Sequence, residues 1–256
     1  MDDYSLNSDI NERLIHIQDL RSIELVARER QVDLWYADLD SFSADHLEPV
    51  LCAEELGRAH RFHFAKDKKH FIVTRALLRT LLGAYLGTDP RLLILAYGKM
   101  GKPFVTAEFE GRISFNLAHS GGRAIYAFTE SRALGVDLEL IREETAGDDI
   151  AKRFFSASEI EELQTVPLEL RREAFFNCWT RKEAYIKARG EGLSMPLDGF
   201  RVSLKPGDLA ALLSNHSDLT EVERWEMRSI PVAAGYVAAL VVEGHGWALN
   251  GFRLAS

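Results

Sequence analysis

GVDLEL, Gly135 to Leu140, alternates as a strand does: Leu134, Val136, Leu138 and Leu140 fall on one face, and Gly135, Asp137 and Glu139 on the other. Such a strand anchors itself by its apolar face and presents two carboxylates together from the opposite one. Downstream, Phe176 to Leu193 reads FNCWTRKEAYIKARGEGL, in which Trp179, Glu183 and Lys187 recur every fourth residue and share one helix face. Gly190-Glu191-Gly192 reads as the C-cap and the turn leaving that helix. Working outward, strand alternation begins at Val32, helical patterns run from about Glu54 to Leu86, and strands follow at Leu92–Tyr97, Ile113–Leu117, Ala124–Thr129 and Leu134–Leu140. Helices are predicted from about Ile150 to Gln164 and Leu168 to Arg189. Strands then return at Phe200–Leu204, Val222–Arg228, Tyr236–Val242 and Trp247–Leu254.

The two halves share this order, each with a helical stretch opening on Arg-Phe (Arg61-Phe62 and Arg153-Phe154) followed by several strands. This weak internal repeat points to two similar α+β lobes, 31–140 and 141–256, with the boundary near Glu139 to Gly147. Residues 1–30 are polar and acidic. With Ile10, Leu14 and Ile17 at helical spacing they read as a marginal helix or a loosely held N-terminal extension, without chemistry. A cleft between the lobes is the expected place for a site.

The chain has 256 residues, 46% apolar and 10% aromatic, enough to bury a core, which rules out disorder and fibre, and its formal net charge of −8 narrows its partners. Coating nucleic acid or an anionic membrane calls for a basic field, so neither is expected as a partner. The longest apolar run, Tyr236 to Val242, is far short of the roughly 18 residues of a membrane span. No apolar segment precedes Arg13, so no secretory signal is expected and the protein is placed in the cytoplasm. Cys52 and Cys178 show no metal spacing and read as reduced, buried thiols.

Five features can carry chemistry. The Asp137/Glu139 pair suits a hard divalent cation with oxygen ligands such as Mg²⁺, or is merely the wet face of an antiparallel strand. Between positions 58 and 79 the charge of the protein inverts: Arg58, Arg61, Lys66, Lys68, Lys69, Arg75 and Arg79 are opposed only by Asp67. That stretch is either an anion-binding face or a solvated helix surface. The turn-rich GKMGKP segment, Gly98 to Pro103, holds Lys99 and Lys102. FNLAHSGG, Phe115 to Gly122, runs from a strand into a glycine turn beside His119, a phosphate cradle or a structural histidine. An i,i+4 Glu183–Lys187 pair is on its own a surface ion pair, but a tryptophan in register above it implies cover. No nucleophile elbow, Walker A, zincin or dinucleotide-binding pattern occurs. A carboxylate metal site, a cationic helix and a Glu/Lys helix face together fit transfer or hydrolysis at a phosphate.

These residues resemble the two-lobed, Sfp-type class of 4'-phosphopantetheinyl transferases. The family pattern G-[IV]-D-[IVL]-E is matched from Gly135 to Glu139. W-x-x-K-E-[AS]-x-x-K followed by G-x-G-L is matched by Trp179, Lys182, Glu183, Ala184, Lys187, Gly190, Gly192 and Leu193. Weaker echoes are the basic helix, GKP at Gly101–Pro103, F-N-x-S-H near Phe115 and R-F-F-[ST] at Arg153–Ser156. The resemblance implies an α+β fold of two similar α/β lobes related by a pseudo-two-fold, with the active site in the cleft between them. It implies transfer of the phosphopantetheine arm of coenzyme A to a serine of an acyl or peptidyl carrier protein, releasing adenosine 3',5'-bisphosphate. By carry-over, Asp137, Glu139 and Glu183 are the Mg²⁺ set. Glu183 is the favoured general base, Glu139 the second choice, and Lys187 steadies or protonates the leaving phosphate. His119 and Lys102, with Arg58 and Arg75, are expected to bind coenzyme A phosphates. Two fused lobes building one site in one chain imply a monomer.

One position departs from the family: Ala118 stands where F-N-x-S-H carries serine, removing a hydroxyl expected at the cofactor phosphate, with Ser120 or the turn amides as compensation. Two other readings compete with the transferase. A non-catalytic coenzyme A or carrier-protein binding module would be expected to have lost a carboxylate or the lysine, and Asp137, Glu139, Glu183 and Lys187 are all present. A Mg²⁺-dependent phosphohydrolase would consume coenzyme A with no carrier protein present.

Overall fold

The computed structural model describes residues 12–23, 25–106, 109–142, 148–192 and 195–256. In chain order its first half comprises β1 (Glu12–His16), β2 (Gln31–Asp38), α1 (Ala44–Leu47), α2 (Ala53–Ala59), α3 (Ala65–Leu86), β3 (Leu95–Tyr97), β4 (Pro103–Val105), β5 (Ser114–Ser120) and β6 (Arg123–Thr129). The second comprises β7 (Leu134–Leu140), α4 (Asp148–Phe154), α5 (Ala157–Thr165), α6 (Leu168–Arg189), β8 (Phe200–Val202), β9 (Leu212–Asn215), α7 (Glu221–Arg224), β10 (Trp225–Ser229), β11 (Tyr236–Glu243) and β12 (Ala248–Ala255). The fold is α+β.

The two halves repeat in topology. β2, β6 and β5 form an antiparallel run in that order, and β7, β11 and β10 form the same run in the second half. Each half inserts a 22-residue helix, α3 or α6, and then a short hairpin, β3-β4 or β8-β9, between its first strand and the next two. Both long helices stop at a glycine in the left-handed region, Gly87 (φ 64°) and Gly190 (φ 70°), where any other residue would be strained.

A buried ion pair marks the true register of the repeat. In the first half, Glu55 takes the Cys52 N–H at the start of α2 and pairs with Arg79 of α3, which also donates to the carbonyls of Pro90 (2.9 Å) and Leu93 (3.1 Å). In the second, Glu159 takes the Ser156 N–H at the start of α5 and pairs with Lys182 of α6 (2.8 Å), which donates to Leu197 (2.7 Å) and Phe200 (2.6 Å). Each cation thus ties a long helix to a helix-starting glutamate and to the turn entering the hairpin. The Arg-Phe match is a different register: Arg61-Phe62 follows α2, whereas Arg153-Phe154 precedes α5.

The sheets pack face to face and each long helix covers an outer face. Val32 and Leu34 of β2, with Ile125 and Ala127 of β6, meet Val136, Leu138, Leu240 and Val242 of the second sheet in one apolar cluster. Trp35 and Ala37 point the other way, onto α3, with Trp35 stacked on Phe252 at 4.4 Å. A third cluster packs α6 against its sheet around Phe175, Tyr185, Phe200 and Trp225.

Three sequence expectations change. The lobe division 31–140/141–256 does not follow the sheets, because β7 pairs with β11 and the last strand, β12, crosses back to lie parallel to β2. The N-terminal stretch is not a detached extension over Glu12–His16: this segment is β1, parallel to β12 on the sheet edge, and Leu20 beyond it is buried. Ile10 and the rest of residues 1–11 lie outside the described residues, as do 143–147 in the expected boundary and Leu193 of the G-x-G-L match. The strand expected at Val222–Arg228 begins instead at Trp225, after the single turn of α7.

Candidate active site

The face of β7 that carries the carboxylates is not wet, because α6 lies across it. Gly135 makes this approach possible: a Cβ there would strike the backbone of Ala184, Lys187 and Ala188. With the helix seated so closely, Glu183 and Lys187 project toward Asp137 and Glu139. Lys187 Nζ donates to Asp137 Oδ1 at 2.6 Å and lies 3.3 Å from the Val136 carbonyl. Asp137 is 5% exposed, and its second oxygen, Oδ2, is buried without a hydrogen-bond partner among the described residues.

The electrostatics are those of an incompletely compensated acidic cluster. Burial, then the charge of Asp137, pushes the Glu183 carboxyl up to about 7, with Lys187 opposing. Burial and Asp137 also raise Glu139, against a hydrogen bond from Ser120. Three carboxylates share one ammonium, so a cation added here removes repulsion and supplies the partner that Asp137 Oδ2 lacks. Among the described residues, however, no group of three or more His, Cys, Asp or Glu side chains stands arranged as a ready metal shell. The donor chemistry fits a hard divalent ion, and the ion or its substrate has to draw the carboxylates together.

The acid that β2 turns toward α3, Asp33, offers no such opening. It accepts from Tyr85 Oη (2.6 Å), Gln31 Nε2 (2.8 Å) and Asn250 Nδ2 (2.9 Å).

A cleft of about 600 Å³ runs from the carboxylates to the basic helix, lined by Arg58, Arg75, Lys102, His119, Asp137, Glu139, Glu183 and Lys187, so the residues assigned to the site by the family resemblance border one cleft, whereas Arg61, Lys66, Lys68, Lys69, Arg79 and Lys99 are not among its lining. They are not equally available. Arg58 is exposed, with its guanidinium 5.2 Å from the centre of the Phe71 ring. His119 stands exposed at the end of β5, its pKa lowered by surrounding protein and by the charges of Lys187 and His70. Arg75 is buried and committed to Glu55 Oε1 through Nε (2.9 Å) and Nη2 (2.7 Å), and to Tyr97 Oη. Lys102 donates its ammonium to the carbonyls of Leu134 (2.9 Å) and Lys187 (2.8 Å), and burial brings its pKa down to about 8. Lys102 thereby fastens the glycine-rich segment to the start of β7 and the last turn of α6. Met100, two residues before it, packs where a Cβ at Gly192 would sit. Ala118 is 6% exposed and belongs to the apolar cluster between the sheets as well as to the cleft wall.

Sequence reading missed Asn116 and the Asp40–His70 pair, and named Ser120 only as a stand-in phosphate contact for Ala118. β5 and β7 lie side by side without a backbone ladder, and Asn116 Oδ1 takes the Val136 N–H at 2.9 Å in its place. Ser120 Oγ donates to Glu139 at 2.8 Å. His70 Nε2 meets Asp40 at 2.8 Å near the Gly122 turn. Alternation along β5 places Asn116, Ala118 and Ser120 on one face, a signal that was present but had no partner strand assigned to it.

Comparison with known proteins places this geometry in a family. The profile described as the 4'-phosphopantetheinyl transferase superfamily matches residues 133–241, and that described as 4'-phosphopantetheinyl transferase, N-terminal, matches residues 35–131. Their junction falls between β6 and β7, where the first sheet gives way to the second. The chain is 36% identical over 220 residues to the 4'-phosphopantetheinyl transferase HetI of Nostoc sp., covering 85% of this chain and 90% of that one. It is 34% identical over 167 residues to a 4'-phosphopantetheinyl transferase of Bacillus subtilis, covering 65% of this chain and 72% of that one.

Proposed function

The chain belongs to the 4'-phosphopantetheinyl transferase superfamily and is an enzyme of that class, and from that premise we propose that its cleft transfers 4'-phosphopantetheine from coenzyme A to a carrier-protein serine in a Mg²⁺-dependent reaction. The observation that carries the metal reading is the buried, unpartnered Oδ2 of Asp137 beside two carboxylates whose pKa values are raised. Asp137, Glu139 and Glu183 are the residues that would hold the ion. Bound there, it would neutralise the pyrophosphate and stabilise charge developing on the leaving oxygen.

The protein's own groups divide the remaining work. Glu183 is the general base: its carboxyl lines the cleft beside Asp137 and Glu139, and in the metal-free protein burial raises it to about 7, so the proton it would take from the serine has a nearby acceptor of raised basicity. Lys187 has its ammonium within the acidic cluster and on the cleft wall, so it balances charge there and faces the phosphate that departs as adenosine 3',5'-bisphosphate. Arg58 and His119 line the same cleft as exposed polar groups for the nucleotide phosphates. Arg75 and Lys102 shape that wall from behind, through Glu55 and the α6 carbonyls.

The test is transfer by Asp137→Ala and Glu183→Gln. Each is expected to abolish it while melting within a few degrees of wild type, since each removes charge from an acidic cluster rather than volume from a core. Near-normal turnover by either folded variant would overturn the assignment.

A further inference from the structure

We propose that Ser120 is a positioning residue for the metal centre, acting through Glu139 and not through the phosphates of coenzyme A. The inference rests on the reading of Glu139 as a metal ligand. Ser120 Oγ sits between two groups of β7: it donates to Glu139 Oε2 at 2.8 Å and accepts from the Leu140 N–H at 3.2 Å. One hydroxyl thus reads both the backbone and the carboxylate of the strand that carries the acidic pair. Fixing one oxygen of Glu139 fixes the side-chain torsions that aim the other toward the cleft.

The serine is itself held from the second lobe. It ends β5 and enters a turn with Gly121 at φ 56° and Gly122 at φ 92°. Tyr236 Oη donates to the Gly121 carbonyl at 2.7 Å, and a Cβ on Gly121 would meet Leu140 Cδ2 and Tyr236 Oη at 2.7 Å each. Because β5 and β7 are not joined by a backbone ladder, Ser120 and Asn116 are the side chains that set the distance between them. A hydroxyl placed in this way belongs to the outer support of a ligand carboxylate, and losing such support typically weakens metal affinity 10- to 100-fold. With both its donor and acceptor capacity in use, Ser120 is poorly placed to take over the phosphate contact that Ala118 cannot make.

The experiment is Mn²⁺ binding, followed by electron paramagnetic resonance of the free ion, to wild type, Ser120→Ala and Ser120→Thr in the presence of coenzyme A. A parallel arm measures coenzyme A affinity in chelator, and melting temperature serves as the folding control. Ser120→Ala is expected to bind Mn²⁺ about 10- to 100-fold more weakly, to keep wild-type coenzyme A affinity in chelator, and to be rescued by the hydroxyl of threonine. Unchanged Mn²⁺ affinity in folded Ser120→Ala would overturn the proposal, as would a loss of coenzyme A affinity in chelator, which would make Ser120 a phosphate ligand. If wild type with coenzyme A binds no Mn²⁺, the metal reading itself fails and the positioning role falls with it.

Discussion

Replacing Lys182 by methionine tests whether the repeated ion pair holds the second lobe together. Lys182 lies in the same short motif as Glu183 and Lys187, yet its ammonium faces away from the cleft. Its side chain and that of Glu159 are 0% exposed, and it also closes the carbonyls of Leu197 and Phe200. Methionine keeps the volume and leaves the Glu159 charge, among the described residues, with neutral donors: the Ser156 N–H and Oγ–H, the Val202 N–H and the Cys178 thiol. Removing one partner of a buried pair costs about 3–5 kcal/mol, a large part of the roughly 5–15 kcal/mol of a folded domain. At about 2–4 °C per kcal/mol for a chain near this size, the melting temperature should fall by about 6–20 °C. Urea unfolding followed by circular dichroism gives the free energy directly. The double variant Glu159→Gln/Lys182→Met removes the stranded charge and should recover at least about 1 kcal/mol of the loss. A Lys182→Met protein unfolding at the wild-type urea midpoint would refute the reasoning, and so would a double variant no more stable than the single one.

Two further outcomes follow from the acidic cluster and the helix seat. In metal-free protein, Glu183 is raised to about 7 and Glu139 is raised as well, so the folded state holds protons that the unfolded state releases near pH 4.3. Their contribution to stability is therefore present at low pH and lost as pH rises toward 7, and the increase in melting temperature produced by Mg²⁺ should be larger at pH 8 than at pH 5; an increase independent of pH would contradict the cluster. Gly135→Ala places a methyl group against the backbone of α6 and should destabilise the protein by about 1–3 kcal/mol or more, with a fall in transfer measured alongside; an unchanged melting temperature would show that the helix can lift away freely.

The sequence was informative where the chemistry is local. Alternation identified β7, an apolar run identified β11, the spacing of four identified the working face of α6, and the site residues named from those patterns converge on one cleft. It was silent where neighbours are distant in the chain. β1 pairs with β12 across the whole length of the chain, and β12 joins the sheet of the opposite half, pairings that no local periodicity encodes. The repeat was visible in outline but misaligned. Arg-Phe is conspicuous as a dipeptide, whereas Glu55 with Arg79 and Glu159 with Lys182 become equivalent only when the helices are packed. Charge alone also could not separate Arg58, exposed on the cleft wall, from Arg75 and Lys102, whose donors are committed to Glu55 and to backbone carbonyls. The alternative of a solvated D-x-E face failed for the same reason: what covers a strand face is decided by a helix about 30 residues further on.

The most direct measurement is the intact mass of apo carrier proteins incubated with this protein and coenzyme A, with Mg²⁺ or with chelator. The account predicts a gain of one phosphopantetheine on the acceptor serine with Mg²⁺ and none with chelator. No gain on any carrier, or a gain undiminished by chelation, would contradict it.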